Sequence, residues 1–452
     1  MCLPMFFIRV LAFYGYYNVS TGAFLKVYIE TYGCTFNQAD SELIASAMKG
    51  EGIETCSSEA DADVVLLNTC TVKGATQNRI TYRLSGLEKS GKKVLVTGCM
   101  AGANSDIISK YAPSASIAKI QNVAGMPQAA KDTASSKRVM LMEESRYDRI
   151  GLYAPGKSVI AKIPLSDGCL SSCSFCETKF ARGRLNSFSE SGILNAISYS
   201  IRNGAKELEL TAQDTGAYGI DKGTNIAELV SRACSFEGDF RLRIGMLNPE
   251  HLHRYYRELI DAMQDPHVYK FLHLPLQSGS DSVLASMRRG YTVEKYLEMV
   301  KEIRESVKDI TIETDIIVGF PGETDSDFEA TLKAINEFKP EVTNISKFTK
   351  RPHAPASRMR QLDDKLIKER SSELSRIVRA MQASKNASAI GTEESVLLTE
   401  SSSSSVNGRD ESYRQVVIPN SKNASGMASG SRLMARIYNA TSNALYAEPV
   451  NA

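Results

Sequence analysis

A short apolar run, a polar loop and an amphipathic stretch follow one another along the chain, and the unit recurs. Residues 25–31 alternate as a strand. Residues 37–48 have helical spacing, with Asn37 at the N-cap position and Asp40 in the first turn. Residues 64–69 are almost continuously apolar, 75–87 are helical again, and 94–97 form another buried-type strand. Short apolar strands alternating with helices predict a doubly wound parallel sheet over residues 24–130. The polar, charged stretch at 131–148 reads as a linker, with the linker as a whole set at 131–150.

A longer βα series follows. Strands are expected at 159–165, 207–211, 242–247, 268–274, 311–318 and 342–348, with helices at 191–203, 226–235, 294–306 and 327–338. Six units are too few for a closed eight-stranded barrel, so a partial (β/α)6 barrel over 151–387 is predicted. A charged helix at 363–384 leaves it. From residue 388 to 452 the chain turns rich in Ser, Asn and Gly, and short strands at 395–399, 415–418 and 433–438 suggest a small β-barrel. The serine run at 401–405 reads as an inter-strand loop.

With 452 residues the chain has room for two to four domains. Its 42% hydrophobic and 23% charged content excludes a disordered or membrane-embedded class. A net charge of +2 leaves any nucleic-acid binding to local patches. Residues 1–17 are apolar and aromatic, but Arg9 interrupts them and they fall short of the ~20 residues a membrane span needs. Residues 1–23 are therefore expected to be an extension outside the fold, and no membrane partner is expected.

Nine cysteines are too dilute for a disulfide scaffold, which favours a reducing, cytoplasmic setting. Cys34, Cys70 and Cys99 each follow a predicted strand, where an open α/β sheet lines its ligand crevice. Three thiolates can hold a cluster and leave one coordination position open; three buried structural cysteines are the alternative. The triplet Asp167-Gly-Cys169-Leu-Ser-Ser-Cys173-Ser-Phe-Cys176 follows the first barrel strand, where loops carry the chemistry. Its spacing lets one loop wrap a cubane, and Phe175 is placed to shield it. A zinc site completed by Cys34, Cys70 or Cys99 is the competing reading.

C-x3-C-x-aromatic-C after the first strand of a βα barrel resembles the radical-SAM signature. In that superfamily the open iron binds S-adenosylmethionine, which is cleaved to a 5′-deoxyadenosyl radical. Further runs narrow the resemblance to the methylthiotransferases: Glu30-Thr-Tyr-Gly-Cys-Thr-Phe-Asn37, Leu67-Asn-Thr-Cys-Thr-Val72, Thr97-Gly-Cys99, His273-Leu-Pro-Leu-Gln-Ser-Gly-Ser280 and Asp315-Ile-Ile-Val-Gly-Phe-Pro-Gly-Glu323. Glu177-Thr-Lys-Phe-Ala-Arg-Gly-Arg184 and Ser346-Lys-Phe-Thr-Lys-Arg-Pro-His-Ala-Pro355 resemble the archaeal and eukaryotic branch, which places a methylthio group at C2 of N6-threonylcarbamoyladenosine beside the tRNA anticodon. His353-Ala354 departs from the Gly-Thr common in the family. The resemblance implies two 4Fe-4S clusters, on Cys169/Cys173/Cys176 and on Cys34/Cys70/Cys99, with S-adenosylmethionine, a tRNA substrate and an electron donor as partners. It also implies a C-terminal TRAM-like domain, although that segment holds five Lys/Arg against six Asp/Glu.

Strand ends and alternation add softer candidates. Gln213, Asp214, Gln277, Ser278, Glu313 and Asp315 are candidates for cofactor contact. Arg182, Arg184, Lys347, Lys350 and Arg351 are candidates for RNA phosphates. Arg288 and Arg289 read as a helix C-terminal pair; Tyr413 and Arg414 could stack on bases, but a structural role is favoured for both. Two substrate alternatives stay open, isopentenyl-adenosine in tRNA and a ribosomal-protein aspartate. A non-enzymatic, zinc-holding RNA-binding protein is the rival from another class.

Overall fold

The computed structural model describes residues 24–71, 74–420 and 427–450. The extension expected at residues 1–23 lies outside them. Among the described residues no helix is long and apolar enough to cross a membrane.

The N-terminal sheet is built from β1 (Lys26–Thr31), β2 (Glu54–Cys56), β3 (Val64–Thr69), β4 (Val94–Gly98), β5 (Ser116–Ala118) and β6 (Met140–Leu141), in the order β2-β1-β3-β4-β5-β6 and all parallel. Every residue of β3 is buried, as a central parallel strand requires. Val64 and Leu66 enter one core with Leu43, Ile44 and Met48 of helix α1 (Thr35–Gly50). Val65 and Leu67 enter the other with Ile80, Leu84 and Leu87 of helix α2 (Gly74–Lys89). Two cores on opposite faces make the sheet doubly wound.

Two expectations are corrected here. Asn37 does not cap α1: Cys34 does, and Asn37 is buried within the first turn. Part of the stretch read as a linker is structured, because Met140–Leu141 pairs with β5 as the sixth strand. A strand of two residues carries too little pattern to be read from sequence.

The central domain runs through β7 (Ile160–Pro164), the two-residue strands β8 (Ser166–Asp167) and β9 (Asn186–Ser187), then β10 (Glu207–Thr211), β11 (Arg241–Ile244), β12 (Phe271–His273), β13 (Thr311–Val318) and β14 (Val342–Lys347). The sets β11-β10-β7 and β12-β13-β14 are parallel. Bridges Leu242↔Val268 and Met246↔His273 join them into one open, six-stranded barrel. β8 and β9 pair antiparallel and frame the Cys169–Cys176 loop.

Helix Asp364–Ala387 leads to β15 (Glu393–Ser401), β16 (Ser405–Arg409), β17 (Gln415–Pro419), β18 (Arg432–Ala440) and β19 (Leu445–Pro449), which close into a barrel in the order β15-β16-β17-β19-β18. Its Tyr413 does not present a face to RNA. The partly buried ring packs edge-on against Tyr269 and beside Phe271, both at 4.9 Å, and the hydroxyl lies between Glu207 (3.1 Å) and Glu209 (3.0 Å) of β10, its one proton shared between them. Arg414 is likewise committed, to Asp410 (2.6 Å) and Glu394 (3.1 Å). The small barrel is thus docked on the starts of the central strands.

Candidate active site

Three tight turns bring the first cysteine triad together. Gly33 has φ +118°, and a Cβ there would stand 2.9 Å from the Cys70 Cβ. Gly98 has φ +89°, and its Cβ would meet the Thr69 carbonyl, so glycine is required at both. Asn37 ties the turns to one another. Its amide donates to the carbonyls of Tyr32 (2.8 Å) and Thr69 (2.9 Å), and its oxygen lies 3.8 Å from both the Cys34 and Cys99 sulfurs. Burial pushes the Cys99 thiol up to about 11, against the nearby Arg182 charge.

The second triad sits in the loop after β8. Gly168 has φ +72°, and a Cβ there would collide with the Arg184 carbonyl. Burial, then the Asp214 charge and the neighbouring sulfurs, push Cys169 up to about 12. The Cys176 sulfur accepts the Thr178 N–H at 3.3 Å. Phe175 packs with Phe320, Val283 and Met287. Among the described residues no three His, Cys, Asp or Glu side chains gather tightly enough for a single metal ion; the thiols of each triad lie near enough to raise one another's pKa.

The triads are joined directly. Thr71, next to Cys70, donates to Glu177, next to Cys176, at 3.2 Å, and the other Glu177 oxygen accepts the His353 N–H at 3.1 Å. Each triad also has one arginine on a sulfur, Arg182 buried and Arg289 partly so. Arg182 donates through Nε to Cys99 (3.2 Å), and Arg289 donates through Nη1 to Cys173 (3.3 Å).

This overturns two readings. Arg182 is not at an RNA-facing rim: it is 1% exposed, pairs with Asp40 at 2.6 Å and donates to the Asn37 oxygen at 3.0 Å. Arg289 is no helix-end pair with Arg288: it also donates to Asn248 (2.7 Å) and lies over the Tyr291 ring. Arg351 is buried too, donates to Gln77 (3.4 Å), and lies close enough to Cys70 and Cys176 for their charges to act on it. Arg184, Lys347 and Lys350 remain exposed.

The cofactor candidates divide. Gln213 Oε1, Asp214 Oδ2 and Gln277 Oε1 are buried without a hydrogen-bond partner. Orphaned acceptors of this kind are rare in folded proteins, and they suit a ligand bearing an ammonium and hydroxyls. Asp214 spends its other oxygen on the N–H groups of Gly216 and Asn248, both at 2.9 Å. Ser278 turns away instead, lying 3.4 Å from the Thr331 hydroxyl and accepting the Ser280 N–H. Glu313 and Asp315 share the Asn344 amide (2.6 and 2.9 Å), and Asp315 lies 3.0 Å from His273 Nε2.

Residues 26–118 match the uncharacterized protein family UPF0004, and residues 163–335 match the radical SAM superfamily. A probable threonylcarbamoyladenosine tRNA methylthiotransferase of Pyrococcus abyssi is 37% identical over 94% of this chain and 99% of its own length. One from Archaeoglobus fulgidus is 39% identical over 87% of this chain and 93% of its own. The chain belongs to the threonylcarbamoyladenosine tRNA methylthiotransferase family. The human threonylcarbamoyladenosine tRNA methylthiotransferase is 34% identical over 94% of this chain and 74% of its own length. Among solved structures, the radical S-adenosylmethionine methyltransferase TsrM from Kitasatospora setae superposes with a TM-score of 0.55 at 14% identity, covering 74% of this chain and 75% of that one. In this methylthiotransferase fold the radical SAM match contains Cys169, Cys173 and Cys176, and the UPF0004 match contains Cys34, Cys70 and Cys99.

Proposed function

We propose that this chain transfers a methylthio group to C2 of N6-threonylcarbamoyladenosine in tRNA. The observation that carries the reading is the Thr71–Glu177 hydrogen bond, which holds the loops of the two cysteine triads side by side. Cys169, Cys173 and Cys176 would hold a 4Fe-4S cluster, with Gln213, Asp214 and Gln277 taking the polar groups of S-adenosylmethionine. Cys34, Cys70 and Cys99 would hold a second 4Fe-4S cluster. Bound there, these groups supply a carbon radical and the sulfur to be transferred.

The protein's own part is placement. Arg182 and Arg289 each put an N–H on one ligand sulfur, which orients the thiolate and offsets its charge. Phe175, packed on Phe320, would shield the second triad from water. Arg184, Lys347 and Lys350 are exposed cations suited to phosphate, and the small barrel is taken as TRAM-like. A reducing cytoplasm suits thiolates held by metal. An electron donor comes from outside the chain.

Iron and labile sulfide per chain, measured on anaerobically reconstituted protein, test this reading. A variant with Cys169, Cys173 and Cys176 all changed to Ala is expected to keep about half the iron and to lose methylthiolation of tRNA. Loss of all iron, or a wild type that takes up only zinc, would remove the second cluster. Cys70→Ala is expected to abolish methylthiolation, and full activity would sink the role of the first triad.

A further inference from the structure

Barrels of this kind are ordinarily filled by branched apolar side chains. Here the helix-facing positions of the central strands are apolar, including Leu208, Leu210, Leu242, Ile244, Ile312 and Ile316. By alternation the concave face receives Lys162, Glu209, Arg243, His273 and Glu313. Pairings Lys162↔Glu209, Glu209↔Arg243 and His273↔Glu313 set them at matching heights. A cavity of about 400 Å3 lies between the strand starts and the small barrel, lined by Arg243, Phe271, Glu313, Arg409 and Tyr413. Thr35, next to Cys34, lines it as well.

Its carboxylates are partnered. Glu209 accepts from Tyr413 (3.0 Å), Glu313 from Asn344 (2.6 Å), and Glu341 pairs with Arg304 (2.8 Å) and Lys385. Two cations have donors to spare, although the Arg409 charge also acts on Glu207. Among the described residues the side chains of Arg243 and Arg409 make no hydrogen bond and no ion pair, and Arg243 Nε is buried without an acceptor. Both guanidinium groups lie by the Tyr413 ring, at 5.6 and 4.7 Å. Two guanidinium forks with unspent donors beside one aromatic ring suit a planar anion.

We infer that Arg243 and Arg409 receive the threonyl carboxylate of the modified adenosine. The inference rests on the function proposed above: the substrate differs from adenosine by a carbamoyl-linked threonine, whose carboxylate is the one formal charge on the base. The base would sit at the strand ends near the cysteine triads, with its N6 substituent directed into the lumen. Arg243 comes from the central barrel and Arg409 from the small one, so the C-terminal domain completes the pocket.

The test is binding to reconstituted full-length protein, read by fluorescence anisotropy. The probes are anticodon stem-loops carrying N6-threonylcarbamoyladenosine, its carboxamide analogue or plain adenosine. Wild type is expected to favour the carboxylate over the carboxamide roughly 10- to 100-fold, the worth of a charge-assisted hydrogen bond. R243Q and R409Q are expected to lose that preference while binding the adenosine RNA as wild type does, and R243K to keep part of it. Because the two arginines sit in different domains, a folding defect in one variant leaves the other to decide. Equal weakening on all three RNAs would assign the arginines to backbone phosphate and overturn the inference. So would an unchanged preference in both Gln variants. A wild type that does not distinguish the modified base from adenosine would instead overturn the function proposed above, and the carboxylate site with it.

Discussion

Asn37 and Asp40, one turn apart on α1, serve different sulfur-site neighbours. Asn37 fixes the strand-end turns, whereas Asp40 is 0% exposed, accepts from Arg149 (2.7 Å) and forms an ion pair with Arg182 (2.6 Å). Arg149 in turn holds Asp167, two residues before Cys169, at 2.5 Å. Removing one charge from a buried network leaves the others under-compensated. Asp40→Asn is therefore expected to cost about 3 kcal/mol or more in chemical denaturation, and a loss below about 1 kcal/mol, the worth of an exposed pair, would contradict this account. The six cysteines were legible in the sequence because their spacing and strand-end positions form a pattern. Arg182 and Arg289 were not, because an arginine turned toward a sulfur and one turned toward water are the same letter. What distinguishes them is a partner some 83 or 116 positions away in the chain.

The helices of the central barrel declare their starts locally. Helix Asp325–Phe338 begins with a capping box in which Thr324 and Asp327 satisfy each other's backbone. Thr324→Ala is expected to cost about 1 kcal/mol in thermal or chemical unfolding. Burial alone would raise the Asp327 pKa, but hydrogen bonds from Ser280, Thr324 and Ser282 outweigh it and hold the carboxyl well below its usual range. A depressed folded pKa contributes stability that is present above the unfolded value of about 4 and is lost as pH falls below it. Asp327→Asn should accordingly flatten the acid limb of the stability curve; a curve parallel to wild type below pH ~4 would show that these hydrogen bonds carry no linkage. At this scale the long strands and helices could be read from periodicity. The five-stranded barrel yielded three strands: β16 starts inside the serine run and continues Val-Asn-Gly-Arg, and β19 ends on Glu-Pro, so neither shows a clear apolar alternation.

Across the whole molecule, contacts between domains were the part least visible in sequence. Tyr413, for which the sequence favours a structural role over base stacking but names no partner, is a bolt between the two barrels. Glu207, raised by its burial and by the Glu209 charge, depends on Tyr269 and Tyr413 for its hydrogen bonds. Tyr413→Phe is expected to destabilise the chain by about 1–3 kcal/mol, measured as a shift in the denaturation midpoint. An unchanged midpoint would mean that the two carboxylates find other donors.

The same logic bears on how such an enzyme can diversify. Asp40 belongs to the N-terminal domain, Arg149 to the segment that follows it, and Asp167 and Arg182 to the cluster loop of the barrel. Together they balance two positive charges with two negative ones inside the protein. A recombinant that grafts a foreign N-terminal domain without an aspartate at the position of Asp40 inherits two guanidinium groups with one carboxylate between them. The two halves are therefore heritable as a matched set, and the unit that selection can shuffle is the pair of sulfur sites together.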